Sequence, residues 1–199
     1  MGDCRRGALS PPVPAGDDAL TLEERADSWI EPYWNAHHLV RTRDWLLELD
    51  PAAGESLRLA ALTHDMERHF PGGPSNDLSH EPEDELEYRR LHSERSARIV
   101  AEWLRGEGAG PALVAEVERL IAAHETGGAA DEDLVQAADS LSFLETNAEL
   151  VAGWYTSGRC SRDRAKAQHR WMFERIRLER ARELARPLYE EAIAVVDRA

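Results

Sequence analysis

The stretch Leu57–Phe70, LRLAALTHDMERHF, constrains this chain more than any other. Leu57, Ala60, Ala61 and His64 recur at helical spacing, so an apolar helix face runs up to a histidine, and Asp65 follows directly. Neutral imidazole and carboxylate are the ligand types that a hydroxide-generating divalent metal takes. Adjacent positions near a helix end let one residue point inward while its neighbour reaches sideways.

The same logic extends along the chain. Pro11, Pro12, Pro14, glycines and aspartates predict a flexible tail over residues 1–19. Thr21 and Glu24 have capping-box spacing ahead of a helix carrying Leu22, Ala26, Trp29 and Ile30. A second amphipathic helix follows, with His37 or His38 near its start and Asp50-Pro51 at its end. The central helix is predicted over about 55–69, closed by Pro71-Gly72-Gly73-Pro74; a loop then runs to about Glu83 and is placed to lie over a site. Further helices are predicted over about 84–105, 113–124, 132–152 and 161–196, the last bent at Pro187. No strand is predicted. The fold class is all-α, a single helical bundle of about six to seven helices, with residues 20–157 as the main domain and 158–199 as a long helix packed on it.

Charge narrows the partners. With 38 acidic against 24 basic residues and a net charge of −14, neither nucleic acid nor an anionic membrane suits the surface as a whole. All the basic residues but Lys166 are arginine, so a phosphate or carboxylate clamp would be built from guanidinium. Cys4 and Cys160 have no metal or disulfide spacing, and no window is apolar enough for a membrane span, so a cytoplasmic protein is expected.

His38, His64, Asp65, His92, His124 and Asp139 each fall on or beside the apolar side of a predicted helix. One buried histidine is ordinarily a hydrogen-bonded core residue. Four histidines and two aspartates on one core would each need a separate partner, whereas a shared pair of cations satisfies them together.

In this order the residues resemble the HD-domain superfamily of metal-dependent phosphohydrolases, and ALTHDMER is similar to its central helix. His92 in LHSERSARIVAEWL and His124 in RLIAAHE match the extra histidines of members that hold two metals. The resemblance covers about Trp29 to Leu150. It implies that His38, His64 and Asp139 bind a first metal, His92 and His124 a second, and that Asp65 bridges them. The first ligand lies between His37 and His38, with His38 closer to the family pattern. Fe or Mn suits such a site, with Zn, Co or Mg compatible.

Arg68 stands where many members carry a basic residue, and is expected either to contact a phosphate or to end the helix on the surface. Glu67 and Glu125 border the ligands as candidate proton relays. The run Arg159, Arg162, Arg164, Lys166 and Arg170 is expected as an exposed face or as the receiver of an anionic substrate; His69, His80 and His169 are expected on the surface. The function implied is hydrolysis of a small phosphorylated metabolite or nucleotide through a metal-activated water. A mixed-valent di-iron oxygenase shares the same six ligands, and a non-catalytic metal- or ligand-binding module is the third reading.

Overall fold

In a computed structural model that describes residues 20–75 and 78–199, Thr21 caps α1 (Leu22–Ile30) as its spacing to Glu24 predicts. Thr21 Oγ1 accepts the Glu24 N–H at 3.2 Å while the Glu24 carboxylate accepts the Thr21 N–H at 2.7 Å. The tail expected over 1–19 lies outside the described residues. Then follow α2 (Ala36–Leu49), α3 (Glu55–Thr63), α4 (Leu86–Gly106), α5 (Pro111–Ala123), α6 (Ala130–Thr146), α7 (Ala148–Thr156), α8 (Arg162–Glu174) and α9 (Glu179–Arg198). There is no strand among the described residues, and no described helix is long and apolar enough to cross a membrane.

Two of the predicted helices are each a pair. The stretch over 132–152 breaks at Asn147, which leaves helical geometry and gives its N–H back to Phe143. The stretch over 161–196 breaks at residues 175–178, where Ile176 is buried and Arg175 turns inward; α9 then runs through Pro187. The central helix also stops early, at Thr63, and the chain continues through His64 and Asp65 into a 3₁₀ turn, Met66–His69.

The core forms where α2 packs along α6, α4 along α5, and α3 between them. Leu39, Leu46, Leu59, Leu62, Leu104, Leu120, Ile121, Leu141 and Leu144 are almost wholly buried there, and each contributes roughly 1.5–3 kcal/mol of apolar burial. Trp29 of α1 stacks flat on Trp103 of α4, with ring centroids 4.6 Å apart. The last two helices close the bundle, α9 against α6, α7 and α8.

Histidine 169, expected on the surface, is fully buried beside Phe143, and neither ring nitrogen has a hydrogen-bond partner among the described residues. Burial pushes its pKa down to about 4 from an ordinary value of 6.5. Between those values the unfolded chain binds a proton that the folded chain refuses, so His169 subtracts stability as the pH falls. His169→Leu is expected to leave stability at pH 7.5 within about 1 kcal/mol. At pH 5 the variant should gain about 2 kcal/mol relative to the parent. Urea unfolding of both proteins at the two pH values, with chelator present, checks this, and parallel pH profiles would refute it.

Candidate metal centre

The bundle carries the six expected residues to one place. His38 sits in the first turn of α2, His64 and His124 directly follow α3 and α5, His92 lies in the second turn of α4, and Asp139 lies midway along α6. All are buried, at 0–7% exposure including Asp65, whereas His37 is exposed; His38 is thus the histidine that faces the site. The imidazoles run in a row, His38 to His64 at 5.3 Å, His64 to His124 at 5.0 Å and His124 to His92 at 5.4 Å between centroids.

Each Nδ1 is already committed. His64 and His124 use the same device: Nδ1 donates to the carbonyl three residues earlier, Ala61 O at 3.0 Å and Ile121 O at 2.7 Å. This satisfies the Ala61 carbonyl at a helix end, adds a second donor to the Ile121 carbonyl, which also accepts the His124 N–H at 3.3 Å, and turns Nε2 outward. His92 Nδ1 meets the Glu67 carboxylate at 2.8 Å. His38 Nδ1 meets Ser142 Oγ at 2.8 Å, and the serine hydroxyl itself donates to His38 O at 2.7 Å, so it accepts from the ring. All four partners are acceptors, which puts the proton on Nδ1 and leaves Nε2 as the lone-pair nitrogen of each neutral ring.

Those lone pairs face carboxylate oxygens. His38 and His64 Nε2 lie 3.2 and 3.3 Å from Asp139 Oδ1, and His92 Nε2 lies 2.9 Å from Asp65 Oδ1. Two acceptors at hydrogen-bond distance repel unless positive charge stands between them. Extra protons are one source: burial works to keep His64 neutral but Asp139 raises its pKa, and Asp65 and Glu67 raise that of His92 against burial and Arg68. A cation is the other, and the donor set fits one. One donor atom each from His38, His64 and Asp139 lie within 4.8 Å of one another, as do those of His64, Asp65 and His124 and those of His92, His124 and Glu125.

The carboxylates are held ionised. Burial alone would raise Asp65, but Arg68 and His92 bring it well below the usual range; Arg175 and His64 do the same for Asp139. Arg175 and Arg89 likewise hold Glu125 at about 2 against its burial. Arg68 Nε meets both Asp65 oxygens at 2.8 and 2.9 Å, and Tyr33 donates to Oδ2 at 3.0 Å. Arg175 reaches Ser140 Oγ at 2.8 Å, Glu125 Oε2 at 2.6 Å and Asp139 Oδ2.

Residues 20–158 match the family described as "Domain of unknown function (DUF4202)". The chain belongs to this family. No curated protein and no solved structure matches it. The DUF4202 match ends before α8, so Arg175 comes to the site from outside the matched residues.

Above the imidazoles of this DUF4202 domain opens a cavity of about 430 Å³. Its floor carries His38, His64, His124, Asp65 and Asp139; Trp34, Phe143, Leu150, Trp154 and Met172 form an apolar wall; and Leu78, from the loop after Phe70, also lines it. Arg68 lines the cavity rather than ending a helix on the surface. Glu67 does not: it sits behind His92 and is clamped by Arg95 at 2.6 Å, with Gly73 so close that an added Cβ would lie 1.7 Å from Oε1. Glu125, in contrast, lines the wall.

The basic run is not one face. Arg164 is buried on Glu85 and the His80 carbonyl, and Lys166 pairs with Asp197. Arg159 lines the cavity against Trp154, without a carboxylate partner among the described residues. His69 and His80 are exposed, as expected.

Proposed function

We propose that this chain is a metal-dependent phosphohydrolase acting on a small phosphorylated metabolite or nucleotide. The observation that carries the reading is the set of imidazole lone pairs turned onto carboxylate oxygens, with every Nδ1 used elsewhere. His38, His64 and Asp139 would hold one divalent ion, His92 and His124 a second, and Asp65 would bridge. When bound, such ions supply Lewis acidity and lower the pKa of a water.

The charge of the wall supports an anionic substrate. Arg68, Arg89, Arg159 and Arg175 balance Asp65, Glu85, Glu125 and Asp139, so two divalent ions would make the cavity net positive. Arg68, fixed by Asp65 and by Tyr88 Oη at 2.5 Å, can offer its remaining N–H groups to a phosphoryl oxygen. Trp34, Phe143 and Trp154 would cover the organic part and exclude bulk water. Arg159 at the rim is available to a second anionic group.

The test is phosphate release from a panel of phosphomonoesters and nucleotides. Turnover is expected with Mn or Fe, lost on chelation and recovered when the metal is returned. Absence of phosphate release across the panel would refute the reading, and oxygen uptake by the iron-loaded protein would assign it to the oxygenase branch instead.

A further inference from the structure

We propose that Glu125 is a metal ligand, the terminal carboxylate of the second metal position beside His92 and His124. The inference deepens the metal-centre reading and rests on it. The resemblance gives the first position two imidazoles and a terminal carboxylate, but gives the second only two imidazoles and a share of Asp65.

Arg175 treats two carboxylates alike. It binds one oxygen of Asp139, Oδ2, and leaves Oδ1 toward the Nε2 atoms of His38 and His64. It also binds one oxygen of Glu125, Oε2, where Arg89 Nη1 joins it at 3.3 Å, and leaves Oε1 3.9 Å from His124 Nε2. That Oε1 receives no N–H or O–H among the described residues.

A glutamate serving only as counter-ion to Arg89 and Arg175 would have no reason to turn its second oxygen toward an imidazole lone pair. The grouping of donor atoms within 4.8 Å is the same for His92, His124 and Glu125 as for His38, His64 and Asp139. With Glu125 included, both positions have two imidazoles and one terminal carboxylate, with Asp65 shared between them, a donor set suited to Fe or Mn. The side chain is 9% exposed and held by two guanidiniums, so little ordering remains when an ion arrives.

The probe is Mn(II) alone, with bound metal counted by elemental analysis and affinity followed from the free-ion electron paramagnetic resonance signal. Parent protein is expected to take two equivalents. Glu125→Gln, whose carbonyl still accepts from Arg175, should keep one and bind the second at least about tenfold more weakly. Two equivalents at parental affinity in the folded variant would overturn the proposal. Should the variant not fold, a Mn-loaded crystal of the parent decides: an ion about 2.2 Å from Glu125 Oε1 supports it, and none within about 3 Å overturns it. A parent that binds two ions but releases no phosphate refutes the hydrolase reading and leaves Glu125 a ligand; a parent that binds none overturns both.

Discussion

Asp65→Ala is expected to cost the protein both bound metal and turnover, the latter by about 1000-fold or more. The size follows from position. Asp65 is 7% exposed, it is the one carboxylate among the described residues whose donor atom groups with both His64 and His124, and its Oδ1 lies 2.9 Å from the lone-pair nitrogen of His92. Without it, the proposed pair of positions loses the carboxylate that would be shared between them. The substitution also strands the Arg68 guanidinium, so Asp65→Asn is the companion: its carbonyl keeps a hydrogen bond from Tyr33 or Arg68 while the charge is gone. Elemental analysis, phosphate release and circular dichroism on both variants separate lost metal from lost fold. An Asp65→Ala protein with parental activity would sink the hydrolase reading.

The four histidines were legible because helix periodicity is a local signal. Apolar spacing through Leu57–Ala61 and through Leu113–Ile121 ran up to His64 and His124, and both helices end there with the ring bonded back to the last turn. The family pattern alone favours His38 over His37; in the structure His38 is buried against Ser142 and Asp139 of α6 while His37 is exposed. What sequence could not show was long-range. Nothing in RWMFERIRLER breaks a helix, since it has neither glycine nor proline, yet the chain turns at 175–178 because Arg175 finds three polar partners and Ile176 a place in the core. His169 reads as a surface residue, and Arg164 as part of an exposed face or an anion receiver, for the same reason: they are buried by α8 packing on α6, α7, α9 and the Pro82–Asp84 turn. Glu67 looked like a proton relay from its place beside the ligands, but its burial behind His92 comes from Arg95, 28 residues on.

Arg175→Met is expected to lower the stability of the metal-free protein by roughly 3–5 kcal/mol, the usual cost of removing one partner from a buried charge cluster. Arg175 is the shared donor of Ser140, Glu125 and Asp139, and its guanidinium lies 4.5 Å from the centre of the Trp171 ring. Methionine fills the space but leaves two ionised carboxylates whose other oxygens face imidazole lone pairs. Arg175→Lys should recover only part of the loss, because an ammonium cannot reproduce a planar fork aimed at three acceptors. The same change should loosen Mn(II) by about 10–100-fold, as loss of a residue that orients a ligand does. Urea unfolding with chelator measures the first effect and metal titration the second. Stability of Arg175→Met within about 1 kcal/mol of the parent would refute the predicted loss and mean that Glu125 and Asp139 take up protons once the guanidinium that lowers their pKa is gone. A loss of stability with unchanged metal affinity would instead make Arg175, in the turn between α8 and α9, a support for the bundle alone, and leave orientation of the two carboxylates to α6 and to the turn after α5.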